Sequence, residues 1–185
     1  MSDPGSGFAV DNGTVYLPIR YDYTTDGWET AEETKYYMYV SGDFTEIDYM
    51  TGYPDYNKIN GITVLNGTVY IAGQVDNKPF YGVAGNSAYT SLSENNGQVN
   101  CIVVQDGSLW FYGAANNSSR AWDAEGNSTL IYDGNTDAVT YSYGKVYMRW
   151  GSSGYIIRAG GDNTNVNLYG PNEETQVQVS GIAVK

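Results

Sequence analysis

This 185-residue sequence predicts an all-β fold of four stacked, four-stranded units. Three observations carry that reading. A hairpin pattern returns four times along the chain. The strand after each hairpin turn is apolar or aromatic at consecutive positions. Helix is nearly absent, because the one candidate stretch, Glu29 to Tyr37, runs into the β-branched and aromatic Tyr36-Tyr37-Met38-Tyr39-Val40 and reads as a strand.

The repeated pattern is Asn12-Gly13-Thr14-Val15-Tyr16, Asn66-Gly67-Thr68-Val69-Tyr70, Asp106-Gly107-Ser108-Leu109-Trp110 and Tyr143-Gly144-Lys145-Val146-Tyr147. Asn-Gly and Asp-Gly supply the positive φ angles that a two-residue hairpin turn demands. Each turn follows a short apolar segment, at Gly7–Asp11, Gly61–Leu65, Cys101–Gln105 and Ala138–Ser142, and Gly181–Lys185 repeats that segment a fifth time. The units are therefore 7–60, 61–100, 101–137 and 138–180, with an extra strand at 181–185, all in a single domain. Unit three reads as strands near 101–105, 108–113, 119–124 and 128–132, separated by Gly, Asn and Ser clusters such as 114–118. In the second strands Val15, Val69, Leu109 and Val146 share one parity and Tyr16, Tyr70, Trp110 and Tyr147 the other. A sheet with one wet face would alternate apolar with polar, so these strands read as covered on both sides.

Four-stranded units of about 40 residues packed face to face resemble the repeat β-propellers, and the resemblance runs from Gly7 to Lys185. The fold expected is a small β-propeller of about four four-stranded repeats; a β-sandwich or barrel built from irregular hairpins is the alternative. The fifth strand copy either closes the ring beside the first unit or pairs with a neighbouring chain. The Tyr-, Asn- and Gly-rich, Lys-poor texture is similar to that of bacteriophage virion proteins, the fibre, tail and decoration modules in particular.

Composition removes many chemistries. There is no His, so a Ser-His-Asp or Cys-His arrangement is impossible. One Cys rules out a disulfide within the chain and makes a zinc site implausible. No phosphate-binding glycine loop occurs, since Gly151–Gly154 and Gly160-Gly161 read as turns. A net charge of −12 argues against nucleic acid and against an anionic membrane surface. No apolar run is long enough to span a bilayer, so no membrane insertion is expected. The polar start, Met1–Gly7, has no secretory character, which implies synthesis in the cytoplasm.

Among candidate chemical groups, Asp133-Gly134-Asn135-Thr136-Asp137 mimics the first half of a calcium loop. Position 6 is Ala138 and position 12 is Gly144 where Gly and Glu are needed, so no metal site is expected there. Cys101 reads as a buried, inert thiol. The sequon residues Asn12, Asn66, Asn116, Asn117 and Asn127 are expected to stay unmodified, and Asn12 and Asn66 already serve the hairpin turns. The first unit carries an insertion at 21–34 with five carboxylates and Trp28, and an aromatic loop around Pro54 at 51–58. Loops that outgrow their scaffold often carry function. Trp28, Tyr53 and Tyr56, flanked by Asp26, Glu29 and Glu32, form the candidate binding surface, because flat aromatics with a polar handle suit sugar rings and protein partners. Paired acids from Asp26, Glu29 and Glu32 are a lesser candidate for glycoside hydrolysis.

These features point to a non-enzymatic structural or adhesion component of a bacteriophage virion, with no cofactor. The expected partners are other virion proteins or a host-surface glycan, with homo-oligomers possible. A carbohydrate-binding lectin is the second expectation, and a polysaccharide-cleaving enzyme with paired carboxylates the third.

Overall fold

The computed structural model describes residues 7–23, 33–50, 57–93, 96–133, 138–142, 145–150, 154–159 and 162–167; for Tyr23, Glu33, Tyr132 and the strands from 138 onward it describes the backbone alone. The described chain is all β, with no helix. Sixteen strands form four four-stranded antiparallel sheets, each built from consecutive strands as a meander. Sheet 1 holds β1 (Ala9–Asp11), β2 (Thr14–Tyr23), β3 (Glu33–Val40) and β4 (Asp43–Glu46). Sheet 2 holds β5 (Lys58–Leu65), β6 (Thr68–Val75), β7 (Lys78–Val83) and β8 (Tyr89–Ser91). Sheet 3 holds β9 (Gly97–Gln105), β10 (Ser108–Ala115), β11 (Ser118–Asp123) and β12 (Ser128–Tyr132). Sheet 4 holds β13 (Ala138–Ser142), β14 (Lys145–Trp150), β15 (Gly154–Ala159) and β16 (Asp162–Asn167).

Turn chemistry dictates where each strand ends. Asn12-Gly13, Asn66-Gly67 and Asp106-Gly107 all sit at positive φ between strands whose last pairs are Asp11 with Thr14, Leu65 with Thr68 and Gln105 with Ser108. Both central residues at positive φ define the turn whose twist matches the flanking strands. The second turn of sheets 1, 2 and 3 uses the same geometry with less glycine: Ser41-Gly42, Asp76-Asn77 and Asn116-Asn117. Asn and Asp tolerate this left-handed region because their short side chains bond locally. Segment 114–118 is consequently a continuation of β10 and β11 around a tight turn, and not a separate loop.

The sheets also start earlier than the sequence pattern suggests. β5 opens at Lys58 and β9 at Gly97, so 58–60 and 97–100 belong to the sheets that follow them. A β-bulge conceals the join. Pairing skips Asn60 between Ile59 and Gly61, and skips Asn100 between Val99 and Cys101. The strand opposite carries Gly73 in one sheet and Gly113 in the other. An added Cβ there would run into the carbonyl oxygens of Lys58 and Gln98 respectively. The extra residue bends the strand and drives its backbone onto the neighbour, where glycine alone fits.

Consecutive sheets pack face to face, with β1 beside β5, β5 beside β9 and β9 beside β13. Between sheets 1 and 2 lie Tyr36, Met38, Ile71, Val75 and Phe80, joined by Ile47 and Met50 from the segment after β4. Between sheets 2 and 3 lie Ala72, Val99, Ile102, Leu109, Phe111 and Trp122. Tyr112, Ala121 and Ile131 lie on the far side of sheet 3, with Trp110 and Val103 against them. Polar stitches tie the sheets together. Asn60 Nδ2 donates to the Val99 carbonyl at 2.8 Å, Tyr81 Oη to the Ala124 carbonyl at 2.9 Å, and the Gly97 amide to the Asn77 carbonyl at 2.6 Å.

The repeat has a fixed sense. Tyr16 and Val69 both pack into the core between sheets 1 and 2, and Tyr70 and Leu109 both pack into the core between sheets 2 and 3. The valine position therefore looks back at the preceding sheet, and the tyrosine position looks forward. Sheets 2 and 3 are covered on both faces, as the consecutive buried residues at the ends of β6 and β10 record. Sheet 1 departs from this. Its backward face is open, with Val10 55%, Val15 43% and Leu17 37% exposed. Cys101, expected to be buried, is only half-buried, because its strand lies at the margin of the core cluster on the sheet-4 side.

Candidate functional site

The residues singled out in the first unit, Asp26, Trp28, Glu29 and Glu32 in one loop and Tyr53 and Tyr56 in the other, lie outside the described residues. Their flanks are described. β2 and β3 run on to Tyr23 and Glu33, so five residues of the expected insertion, 21–23, Glu33 and Thr34, are strand. At that end Arg20 Nε and Thr34 Oγ1 each donate to Asp22 Oδ1 at 2.7 Å. Burial pushes the Asp22 carboxyl up, but these two bonds and the guanidinium charge outweigh it and hold its pKa below the ordinary value of 3.8. The second loop re-enters at Asn57, a buried residue whose carbonyl accepts from Tyr36 Oη at 3.1 Å and whose Oδ1 accepts from the Asp76 amide at 3.0 Å. Both flanks are thus anchored at the end of the stack that carries the β6–β7 turn.

A groove opens at the opposite end, between sheets 2 and 3, with a volume of about 620 Å³. Its apolar wall is Leu65, Tyr70 and Trp110, and its acidic rim is Asp106, Asp123 and Glu125. Asp106 comes from the β9–β10 turn, while Asp123 and Glu125 come from the connection between β11 and β12. That connection is held rigidly. Asp123 accepts from the Asn127 amide at 2.8 Å and from Asn127 Nδ2 at 2.9 Å, and the Gly126 amide reaches the Asp123 carbonyl. The Asn127 side chain holds the Asp123 carboxyl below its ordinary range. Tyr81 Oη grips Ala124 from the neighbouring sheet, and the Tyr81 ring stacks on Phe111 with centroids 4.6 Å apart. Asp123 is therefore spent on the loop, and Asp106 and Glu125 remain exposed at the rim.

The groove escaped sequence reasoning because it joins Leu65 and Tyr70 to Glu125 across a sheet boundary. The aromatic at the forward-looking position and an acid in the next unit's turn are the only traces of it in the chain. The calcium-like segment 133–137 has just Asp133 among the described residues, and it is exposed. Among the described residues no three Cys, Asp or Glu side chains gather as a metal would need, and no helix is long and apolar enough to cross a membrane. The chain matches no protein-family model and no curated protein sequence.

Proposed function

We propose that the four sheets are blades of a small β-propeller. We propose also that the protein is a non-enzymatic structural or adhesion component of a bacteriophage virion, docking on other virion proteins or on the host surface. The observation that carries the reading is the uncovered apolar face of sheet 1, next to sheets 2 and 3 that are covered on both faces. Exposed contiguous apolar surface of that kind marks a protein–protein contact. Four meander sheets following one another in chain order, with first strands side by side, favour a propeller over a two-sheet sandwich. The acidic, Tyr- and Asn-rich composition supports the virion assignment. Peptide mass spectrometry of purified phage particles from the source of the gene is expected to recover the chain at structural copy number. Particles that lack it overturn the reading.

A second reading, carbohydrate binding, is favoured by the groove, where Tyr70 and Trp110 offer flat apolar faces beside exposed Asp106 and Glu125. A glycan array probed with wild type and with Trp110→Ala separates the two readings. Glycan capture lost in the variant supports the lectin. No capture, or capture unchanged by the substitution, removes the groove from consideration. Trp28→Ala with Tyr53→Ala applies the same test to the first-unit loops.

A further inference from the structure

We propose that the open face of sheet 1 seats the fourth sheet of a second copy of this chain, so that two chains associate head to tail through reciprocal contacts. The inference rests on the propeller reading above and names what covers its uncovered blade. The face itself is built from Val10, Val15, Leu17, Ile19, Tyr39 and Phe44. Leu17 pairs with Tyr39 in the ladder, and the Tyr39 and Phe44 rings meet at 5.0 Å between centroids. Phe44 is 61% exposed. The opposite face of the same sheet holds the buried Thr34, Tyr36 and Met38.

The sense of the repeat says what fits there. Val69 and Leu109 occupy the position of Val15 in sheets 2 and 3, and each packs against the forward face of the sheet before it. The partner that sheet 1 lacks is therefore the forward face of another sheet of this repeat. Sheets 1, 2 and 3 already use theirs, on sheets 2, 3 and 4. Among the described residues the forward face without a sheet on it belongs to sheet 4, whose backbone carries Tyr147 at the register position of Tyr16, Tyr70 and Trp110. The chain's own sheet 4 is engaged beside sheet 3, with β13 on β9 and β10. Among the described residues none of its strands makes an extended contact with sheet 1.

Charge agrees with this pairing. Between Asp11 and Glu46 eight carboxylates accompany two cations, Arg20 and Lys35, and both cations are held in ion pairs, with Asp22 and Glu46. Over 138–167 the balance reverses, with Lys145, Arg149 and Arg158 against Asp162 alone. In a chain of net charge −12, the strands of sheet 4 are the basic stretch, Glu173 and Glu174 bring the whole fourth unit to neutrality, and the first unit is the most acidic. Opposed potentials steer such an encounter and fix its direction. Head-to-tail contacts end in a ring when the rotation closes. Two chains bring eight sheets, within the range of known propellers.

Light scattering on the full chain at physiological salt tests the proposal. Wild type is expected at twice the 20.2 kDa of one chain. Val15→Lys with Leu17→Lys, both at exposed positions, is expected at the single-chain mass with unchanged circular dichroism. A second measurement does not depend on that variant folding well. In a Cys101→Ser background, Leu17→Cys and Tyr147→Cys are oxidised and run on a non-reducing gel. A link between copies supports the proposal. A monomer whose two cysteines join within one chain overturns it while preserving the propeller, as a closed ring of four. A monomer with no link of either kind overturns both.

Discussion

Two glycines with different duties set the local limits of the repeat. Gly107 sits at φ +76° with open space where a Cβ would go, so its constraint is conformational alone. Gly107→Val is expected to cost roughly 1–3 kcal/mol, read from urea denaturation, because a β-branched residue is forced into the left-handed region. Gly113 has ordinary φ but lies against the Gln98 carbonyl, so its constraint is steric. Gly113→Ala is expected to cost a similar amount, roughly 1–3 kcal/mol, by overpacking. A neutral result there would mean that the bulge at Asn100 relaxes freely. Asp22 gives the pH prediction. Its folded pKa is depressed, so it contributes stability above its unfolded value, and that contribution is lost as pH falls through the folded value. Wild type is therefore expected to melt above Asp22→Asn at neutral pH, with the gap closing as pH falls below 3.8. A gap that stays constant down to acid pH would show that the effect of the substitution is not electrostatic.

At the scale of elements, the hairpins were legible and the strand starts were not. Asn66-Gly67 and Asp106-Gly107 declare their turns because glycine at the second position has few other uses between two apolar runs. Asp76-Asn77 and Asn116-Asn117 make the same turn without glycine, so they read as generic loop composition. The bulges at Asn60 and Asn100 shift the side-chain parity by one residue. A period-2 pattern is broken there, so the sequence reads as a strand that begins after the bulge. The interface between sheets 2 and 3 is a close-packed core. Phe111 is fully buried and stacked on Tyr81. Phe111→Ala is expected to cost about 3–5 kcal/mol in denaturant unfolding, the range for an aromatic removed from a close-packed core. A loss under about 1 kcal/mol would mean that the two sheets do not depend on each other for stability.

For the whole molecule, stability is expected to come from sheet stacking alone. Chelation with EDTA is accordingly expected to leave the melting temperature unchanged. A fall of several degrees would reveal a bound cation, with Asp133, Asn135 and Asp137 as the first residues to substitute. The two ends of the stack differ in kind. One end carries the flanks of both first-unit loops, tied down through Asp22, Thr34, Tyr36 and Asn57. The other carries the groove between Tyr70 and Glu125. Variants at one end are therefore expected to leave binding at the other untouched.

The sequence by itself determined strand as the secondary structure of the described residues, the fourfold repeat, and the placement of the glycine-containing turns. Those properties follow from residues adjacent in the chain: an Asn-Gly pair needs no distant partner to choose its φ angles. It also determined that imidazole chemistry and a disulfide within the chain are absent, since the one needs a His and the other a second Cys. The tertiary structure alone decided which face of each second strand looks forward. It placed Leu65 and Tyr70 within one groove with Glu125, and left Val15 exposed where the equivalent Val69 and Leu109 are covered. Fifteen, 69 and 109 carry the same kind of side chain in the same local pattern. Their environments differ because burial depends on what stands before each sheet, and nothing in the described chain stands before the first.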